Sequence, residues 1–355
     1  MLRTSILLVT LLCNAFAAQA ESNPDSLLLR SIYDEALTNG ESYENLRTLT
    51  KDIGHRLSGS QSAADAMQWG SAVMRGYGAD SVWIMPVMVP SWTRGSIARS
   101  TAYIGQKQVP LRVTALGGSV GTPNDQSIRG KVIMVKDVNA LDTLRASAIA
   151  GRIVLFNRAM DPVLINTGAA YGGAVDQRGN GASAAAKAGA IGALVRSMTH
   201  ALDTLPHTGA LRYKDEINRI PAAAISTVDA TTLSHALENH PDLEVSLQMN
   251  CAAFDDVLQG NVIGQWTGTE KPNEIITIGG HLDSWDIGEG AHDDGAGVVQ
   301  SLQVLETFKK LELQPKRTLR CVMYMNEENG NRGGKHYAEM VRKSGEKHLF
   351  ALESD

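Results

Sequence analysis

The stretch Gly279–Gln300, "GGHLDSWDIGEGAHDDGAGVVQ", holds two His, five acidic residues and six Gly in 22 positions. An apolar core has no place for that composition, and a hairpin turn has no need of it. The flanks are ordinary by comparison. "EIITIGG" (274–280) reads as a strand, and "GAGVVQSLQVLETFKKL" (295–311) as an amphipathic helix with Val298, Leu302, Leu305 and Phe308 on one face. The alternation continues downstream. "RTLRCVMYMN" (317–326) reads as a buried strand, "GGKHYAEMVRK" (333–343) as a helix and "LFALES" (349–354) as a strand, with "NVIGQW" (261–266) as a further strand upstream. The last hundred residues therefore predict an α/β layer with a largely parallel sheet.

That register puts chemistry at one edge. His281 directly follows the first of these strands, and Asp293 lies twelve positions on, just before the helix. Glu327 and Glu328 follow the second strand, and Asp355 the third. Open parallel sheets bind ligands at the carboxyl ends of their strands, so these segments converge on one spot. One imidazole among several carboxylates suits a borderline divalent metal such as Zn²⁺. The alternating oxygen ligands of a calcium loop are absent. An Asp shared between two metals would explain why carboxylates outnumber imidazoles. Asp283, two residues after His281, is placed to hold the imidazole N–H from behind. Glu327, beside a ligand but pointing elsewhere, is a candidate general base. The other polar residues have simpler readings. His292 faces solvent, Asp294 caps the helix or backs a ligand, and Asp286 and Glu289 solvate the loop. His207 in "PHTG" is by default a turn residue, and Trp285 is equally a substrate wall or a core aromatic.

Composition sets the frame. At 355 residues the chain has room for two or three domains, and 43% apolar with 20% charged residues is ordinary for a globular protein. A net charge of −5 with no basic cluster gives no reason to expect nucleic acid. "MLRTSILLVTLLCNAFAAQA" (1–20) has a basic start, an apolar run and Ala18-Gln19-Ala20, the order of a secretory signal peptide cut after Ala20. Its apolar run is too short to span a bilayer, and no other stretch is long enough. The expected location is therefore exported, periplasmic or extracellular. Cys13 leaves with the signal. Cys321 reads as a small core hydrophobe, and a Cys251–Cys321 disulfide stays open on sequence alone.

Residues 21–115 read as helices followed by short strands, with the loop "DIGHRLSGS" between two helices. "GGSVGTP" (117–123) is a turn-rich boundary. From 116 to 247 short strands alternate with helices and carry no ionisable cluster. The Ala/Gly helix from Gly181 onward predicts close packing on a sheet. Residues 248–355 then hold the acidic loops.

The motifs "GGHLDSWDIGEGAHDDGAG", "NEENG" and "ESD" resemble the metal motifs of the di-zinc exopeptidase family of aminopeptidase Y and glutamate carboxypeptidase, in the branch that holds carboxypeptidase Q and its bacterial relatives. "IGHRLSGS", "GSVGTP", "GRIVLFNR", "RSMTHALDTLPHTG" and "IPAAAIS" extend the likeness over nearly all of the chain after residue 20. The resemblance implies a mixed sheet flanked by helices, with residues 116–247 as an inserted protease-associated domain. It implies two zinc ions: His281, Asp293 and Asp355 holding one, Asp293 bridging to a second held by Glu328, and Glu327 as general base for hydrolysis of small peptides. In the family the chain continues further, and a later His completes the second site. This sequence has no residue past Asp355, so the resemblance leads to the expectation of a C-terminally truncated catalytic domain with little activity alone. A catalytically inactive binding protein on the same fold is the alternative. Trimming from the amino or the carboxyl end, and assembly as a homodimer, stay open.

Overall fold

A computed structural model describes residues 23–355. The signal-peptide stretch lies outside the described residues. Two sheets organise the chain. The first has five strands in the order Ser81–Thr93, Ala252–Trp266, Arg317–Tyr324, Lys271–His281, Lys347–Glu353. The last three run parallel to one another, and Ala252–Trp266 is antiparallel to both its neighbours, so the sheet is mixed. Ser81–Thr93 is an edge strand. That position tolerates Pro86 and Pro90, whose missing N–H groups need no ladder partner, and the register shifts at Val89–Ser91. Lys347–Glu353 is the opposite edge, with Leu349, Phe350 and Leu352 about half exposed.

Helices Gln61–Gly76 and Gly297–Lys310 cover one face of this sheet. Ala63, Ala66, Met67 and Met74 from the first, and Val298, Leu302 and Leu305 from the second, pack with Ile278, Cys321 and Met323 of the strands. The predicted apolar stripe of 295–311 is the buried one. Helix Arg332–Ser344 covers the other face through Tyr337, against Met85, Ile263 and Val322. Residues with no exposed side chain here each bury roughly 1.5–3 kcal/mol of apolar transfer free energy.

The second sheet has eight strands, ordered Lys107–Leu111, Ala98–Ile104, Glu244–Met249, Ile128–Val135, Ile153–Phe156, Gly192–Arg196, Ala222–Ile225, Val113–Ala115. Its four central strands, from 128 to 225, are parallel, and the two strands between 153 and 196 are fully buried. Near-continuous apolar runs are what a parallel sheet covered on both faces requires. Helix Asp176–Lys187 lies close on it: a Cβ at Gly181 would stand 2.9 Å from the Phe156 ring.

The strands of this second sheet begin at Ala98, ahead of the 116 boundary expected from sequence, and "GGSVGTP" lies inside the unit. The cause is non-local pairing. Ala98–Ile104 pairs with Glu244–Met249, more than 140 residues on, and Val113–Ala115 with Ala222–Ile225. No turn signal announces such partners. Cys251 and Cys321 are both free and buried, each in a different core cluster, so the disulfide left open on sequence does not form.

Candidate metal centre

Strand register explains the convergence. His281 sits opposite Tyr324 and Gly279 opposite Glu353, so the three parallel strands end at the same level. Glu327–Glu328 and Asp355 then lie two to four residues beyond those ends. The helix start is drawn close as well. A Cβ at Gly280 would meet Asp294 Oδ2 at 2.5 Å and the Gly297 carbonyl carbon at 2.8 Å, so only glycine lets strand and helix approach this far.

One nitrogen of His281 is committed. Its Nδ1 lies 3.0 Å from the Asp283 carbonyl oxygen, which can only accept, so Nδ1 carries the proton and Nε2 the lone pair. Nε2 is buried, 3.0 Å from Asp293 Oδ1 and 3.9 Å from Asp355 Oδ1. Ligand atoms of His281, Asp293 and Asp355 all lie within 4.8 Å of one another. The backbone N–H of His281 donates to Asp294 Oδ2 at 2.8 Å, and Asp294 Oδ1 accepts the Gly297 N–H at 2.8 Å. Asp294 thus caps the helix and braces the ligand together. The Asp293–Asp294 peptide is cis.

Asp283 has a different task from the one expected. Its backbone carbonyl, not its carboxylate, takes the imidazole N–H. The carboxylate, fully buried, accepts the Glu327 N–H at 2.9 Å and the Glu328 N–H at 3.2 Å. It therefore sets the turn that carries the proposed base. Glu328 in turn accepts the Trp285 N–H at 3.2 Å. Glu328 and Glu327 face the same cleft as Asp293 and Asp355. His292 is exposed, as expected.

The charges are crowded. Burial, then the neighbouring Asp293 and Asp283, push Glu328 up to about 9. Burial alone is enough to lift Asp294 to about 7 against its helpful partners. Asp283 and Glu327 are also raised, burial being the larger cause in both. For His281 burial opposes the charged form, but the Asp293 contact and the charges of Asp283, Asp294 and Glu328 prevail and raise it to about 10. The same contact lowers Asp293. A carboxylate nest around one imidazole calls for a cation. A proton on Nε2 would answer the charge, yet Nε2 has no aligned hydrogen-bond acceptor. An imidazole lone pair facing carboxylate oxygens suits a divalent metal held between them, and the residues present fit one.

Sequence reasoning left two residues of the loop Gly54–Ser60 without a role. Arg56 is 0% exposed, and its guanidinium donates to the carbonyls of Leu282 (2.7 Å), Glu289 (2.9 Å), Gly290 (2.8 Å) and Gly54 (3.1 Å). Burial lowers its pKa to about 10, with Asp283, Asp294 and Glu328 resisting the fall, so it remains a cation beneath the carboxylates. Ser58 accepts from Asn326 at 2.9 Å and donates to Asn329 at 2.8 Å. One loop thus braces both acidic segments. A basic residue in a glycine-bounded loop with no acidic neighbour was the available signal.

Across the site lies the second sheet's unit. A cleft of about 1150 Å³ runs between Trp285, Asp293, Glu327 and Asp355 on one side and Arg178, His207 and Arg212 on the other. His207 is therefore a cleft residue rather than only a turn. Trp285 is both things the sequence left open: it lines the cleft and packs on the insert core. Arg94 locks the join, pairing with Asp286 at 2.5 Å, donating to Thr208 at 3.1 Å and stacking over Trp92 and Trp285. Asp286 is an ion-pair partner, not a solvated loop residue.

Residues 261–355 match Peptidase family M28. The chain is 35% identical to carboxypeptidase Q of Xenopus laevis over 329 residues, which is 92% of this chain and 68% of that protein. Its structure resembles a peptidase M28 precursor from Shewanella amazonensis with a TM-score of 0.87 at 36% identity, covering 92% of this chain and 73% of that one. A zinc aminopeptidase from Bacillus subtilis shares the fold, with a TM-score of 0.61 at 20% identity over 87% of this chain and 67% of that one. The chain thus spans about two thirds of the length of the curated relative. Matching acidic loops, a shared mixed sheet and identity across nine tenths of its length place it in one group: the chain belongs to peptidase family M28, a metallo-exopeptidase family.

Proposed function

We propose that the chain is a secreted zinc-dependent exopeptidase that hydrolyses small peptides. His281, Asp293 and Asp355 would hold one zinc, with Asp293 and Glu328 serving a second. When bound, the metal supplies Lewis acidity, which polarises the scissile carbonyl and makes water more acidic. Glu327 accepts the proton of the attacking water and passes it to the leaving amine. Its raised pKa suits that exchange, because a base too acidic would hold the proton poorly. Asp283 fixes Glu327 through the backbone, and Arg56 holds the His281–Gly290 loop. Residues 116–247 would act as a protease-associated insert that walls the cleft.

The observation that carries this reading is the meeting of His281, Asp293 and Asp355 within 4.8 Å beside Glu327 in one cleft. Export rests on the sequence of residues 1–20. Among the described residues, no helix is long and apolar enough to cross a membrane. The test is a digest of a defined peptide mixture by the zinc-supplemented chain, with metal content measured on the same sample. Release of terminal residues with zinc bound supports the reading. Bound zinc with no cleavage of any peptide would favour a binding protein instead.

A further inference from the structure

The cleft has two walls of opposite sign. The metal side presents Asp293, Glu327, Glu328 and Asp355, and the facing side presents Arg178 and Arg212 of the insert, with Lys335 nearby. The acidic wall is accounted for by the metal. The basic wall has no carboxylate to answer it. Among the described residues, the side chain of Arg178 contacts only neutral groups, the Tyr171 hydroxyl and the Thr208 carbonyl at 3.5 Å, and Lys335 donates only to the Gly330 carbonyl at 3.1 Å.

Arg178 is also built in place. It sits in the first turn of helix Asp176–Lys187, half-buried, with its guanidinium 5.3 Å from the centre of the Tyr171 ring. The space it fills exists because residue 209 is glycine: a Cβ there would stand 2.2 Å from its Nη1. Its Nε is buried and has no acceptor. A planar fork with a donor left over, held rigid beside a cleft, matches the geometry of a carboxylate. The cleft, at about 1150 Å³, is somewhat above the roughly 300–1,000 Å³ of small-ligand pockets and suits a short peptide.

We propose that this wall binds the free carboxylate of the substrate, with Arg178 as its anchor, so that the substrate class is di- and tripeptides with an unblocked carboxyl terminus. The proposal rests on the peptidase reading above. A zwitterionic short peptide lies across the cleft with its ammonium toward the acidic wall and its carboxylate toward the insert. A long chain places no carboxylate there. The insert then sets substrate length, although it carries none of the metal ligands.

The test is calorimetric binding to the full chain, loaded with zinc and carrying Glu327→Gln to stop turnover. Glycyl-leucine is compared with glycyl-leucinamide, which differs only in its terminal charge. The free acid is expected to bind at least ~10-fold more tightly, as a charge-assisted contact provides. Adding Arg178→Gln should weaken the acid by about that factor and change the amide by less than about twofold, while Arg178→Lys recovers part of the difference. Equal affinity for acid and amide, an equal loss of both in Arg178→Gln, or no binding of either would overturn the proposal. The peptidase reading fails on a separate readout. If the chain with Glu327 intact binds the acid selectively yet cleaves neither peptide, the carboxylate subsite is supported and the hydrolase reading is not.

Discussion

The carboxylate of Asp283 accepts the backbone N–H of Glu327 at 2.9 Å, and the next N–H, that of Glu328, at 3.2 Å. A fully buried acid thus holds the proposed base and a proposed ligand by their backbones, while its own carbonyl orients His281. Asp283→Asn replaces one acceptor oxygen with an NH₂ that faces an N–H donor. Zinc affinity should fall about 10–100-fold, the range typical of groups that orient metal ligands. Competition against a chromogenic chelator measures it. Unchanged affinity would mean that the Glu327–Glu328 turn holds its shape without Asp283.

Arg56 ties the loop Gly54–Ser60 to the metal loop through backbone carbonyls. Arg56→Met keeps the volume but leaves buried acceptors unpaired, each costing about 1–3 kcal/mol. Unfolding by denaturant should show a loss of about 3 kcal/mol or more, and proteolysis should open the chain first between Ser284 and His292. Arg56→Lys, with three donors on a different geometry, should fall between. Normal stability in Arg56→Met would show that water can replace the guanidinium.

Gly117 lies under the Trp285 ring, where a Cβ would come within 1.9 Å of the indole. Gly117→Ala forces the ring or the insert to move. A destabilisation of about 1–3 kcal/mol is expected, as for other overpacked sites, with a shift in tryptophan emission. An unchanged emission spectrum would mean that the ring does not rest on this glycine in solution.

Asp229, in the first turn of helix Thr227–Asn239, gives a pH dependence remote from the metal. Burial opposes its ionisation, but the Arg112 side chain and the Arg112 N–H at 2.7 Å outweigh it, and its carboxyl sits below the ordinary 3.8. A lowered folded-state pKa stabilises the fold above the unfolded value and loses that contribution as pH falls through the folded one. Arg112 is half exposed, so the effect is about 1 kcal/mol. Asp229→Asn should be less stable than the native chain near neutrality, and the difference should close below about pH 4. A constant difference from pH 7 to pH 3 would assign the loss to packing.

The acidic residues were legible in the sequence because each stands just past a strand whose apolar run is unmistakable, and a parallel sheet ends its strands at one edge. His281, Asp293, Glu327 and Asp355 need only that register to meet. Arg56 was not legible, since its partners are main-chain carbonyls and those have no letter in a sequence. Asp283 was seen as close to His281, but which of its oxygens takes the imidazole depends on the chain direction after Leu282. The start of the insert was misplaced because Ala98–Ile104 finds its partner near residue 247, beyond the reach of local pattern. Arg178 and His207 came to the cleft by the same non-local route.

The central claim, a metal centre served by Glu327, is tested most directly by measuring zinc stoichiometry and dipeptide hydrolysis together on the native chain and on Glu327→Gln. The account predicts equal zinc in both and turnover lower by roughly 10²–10⁴-fold in the variant. Zinc absent from the native chain, or turnover unchanged by Glu327→Gln at equal zinc, would contradict it.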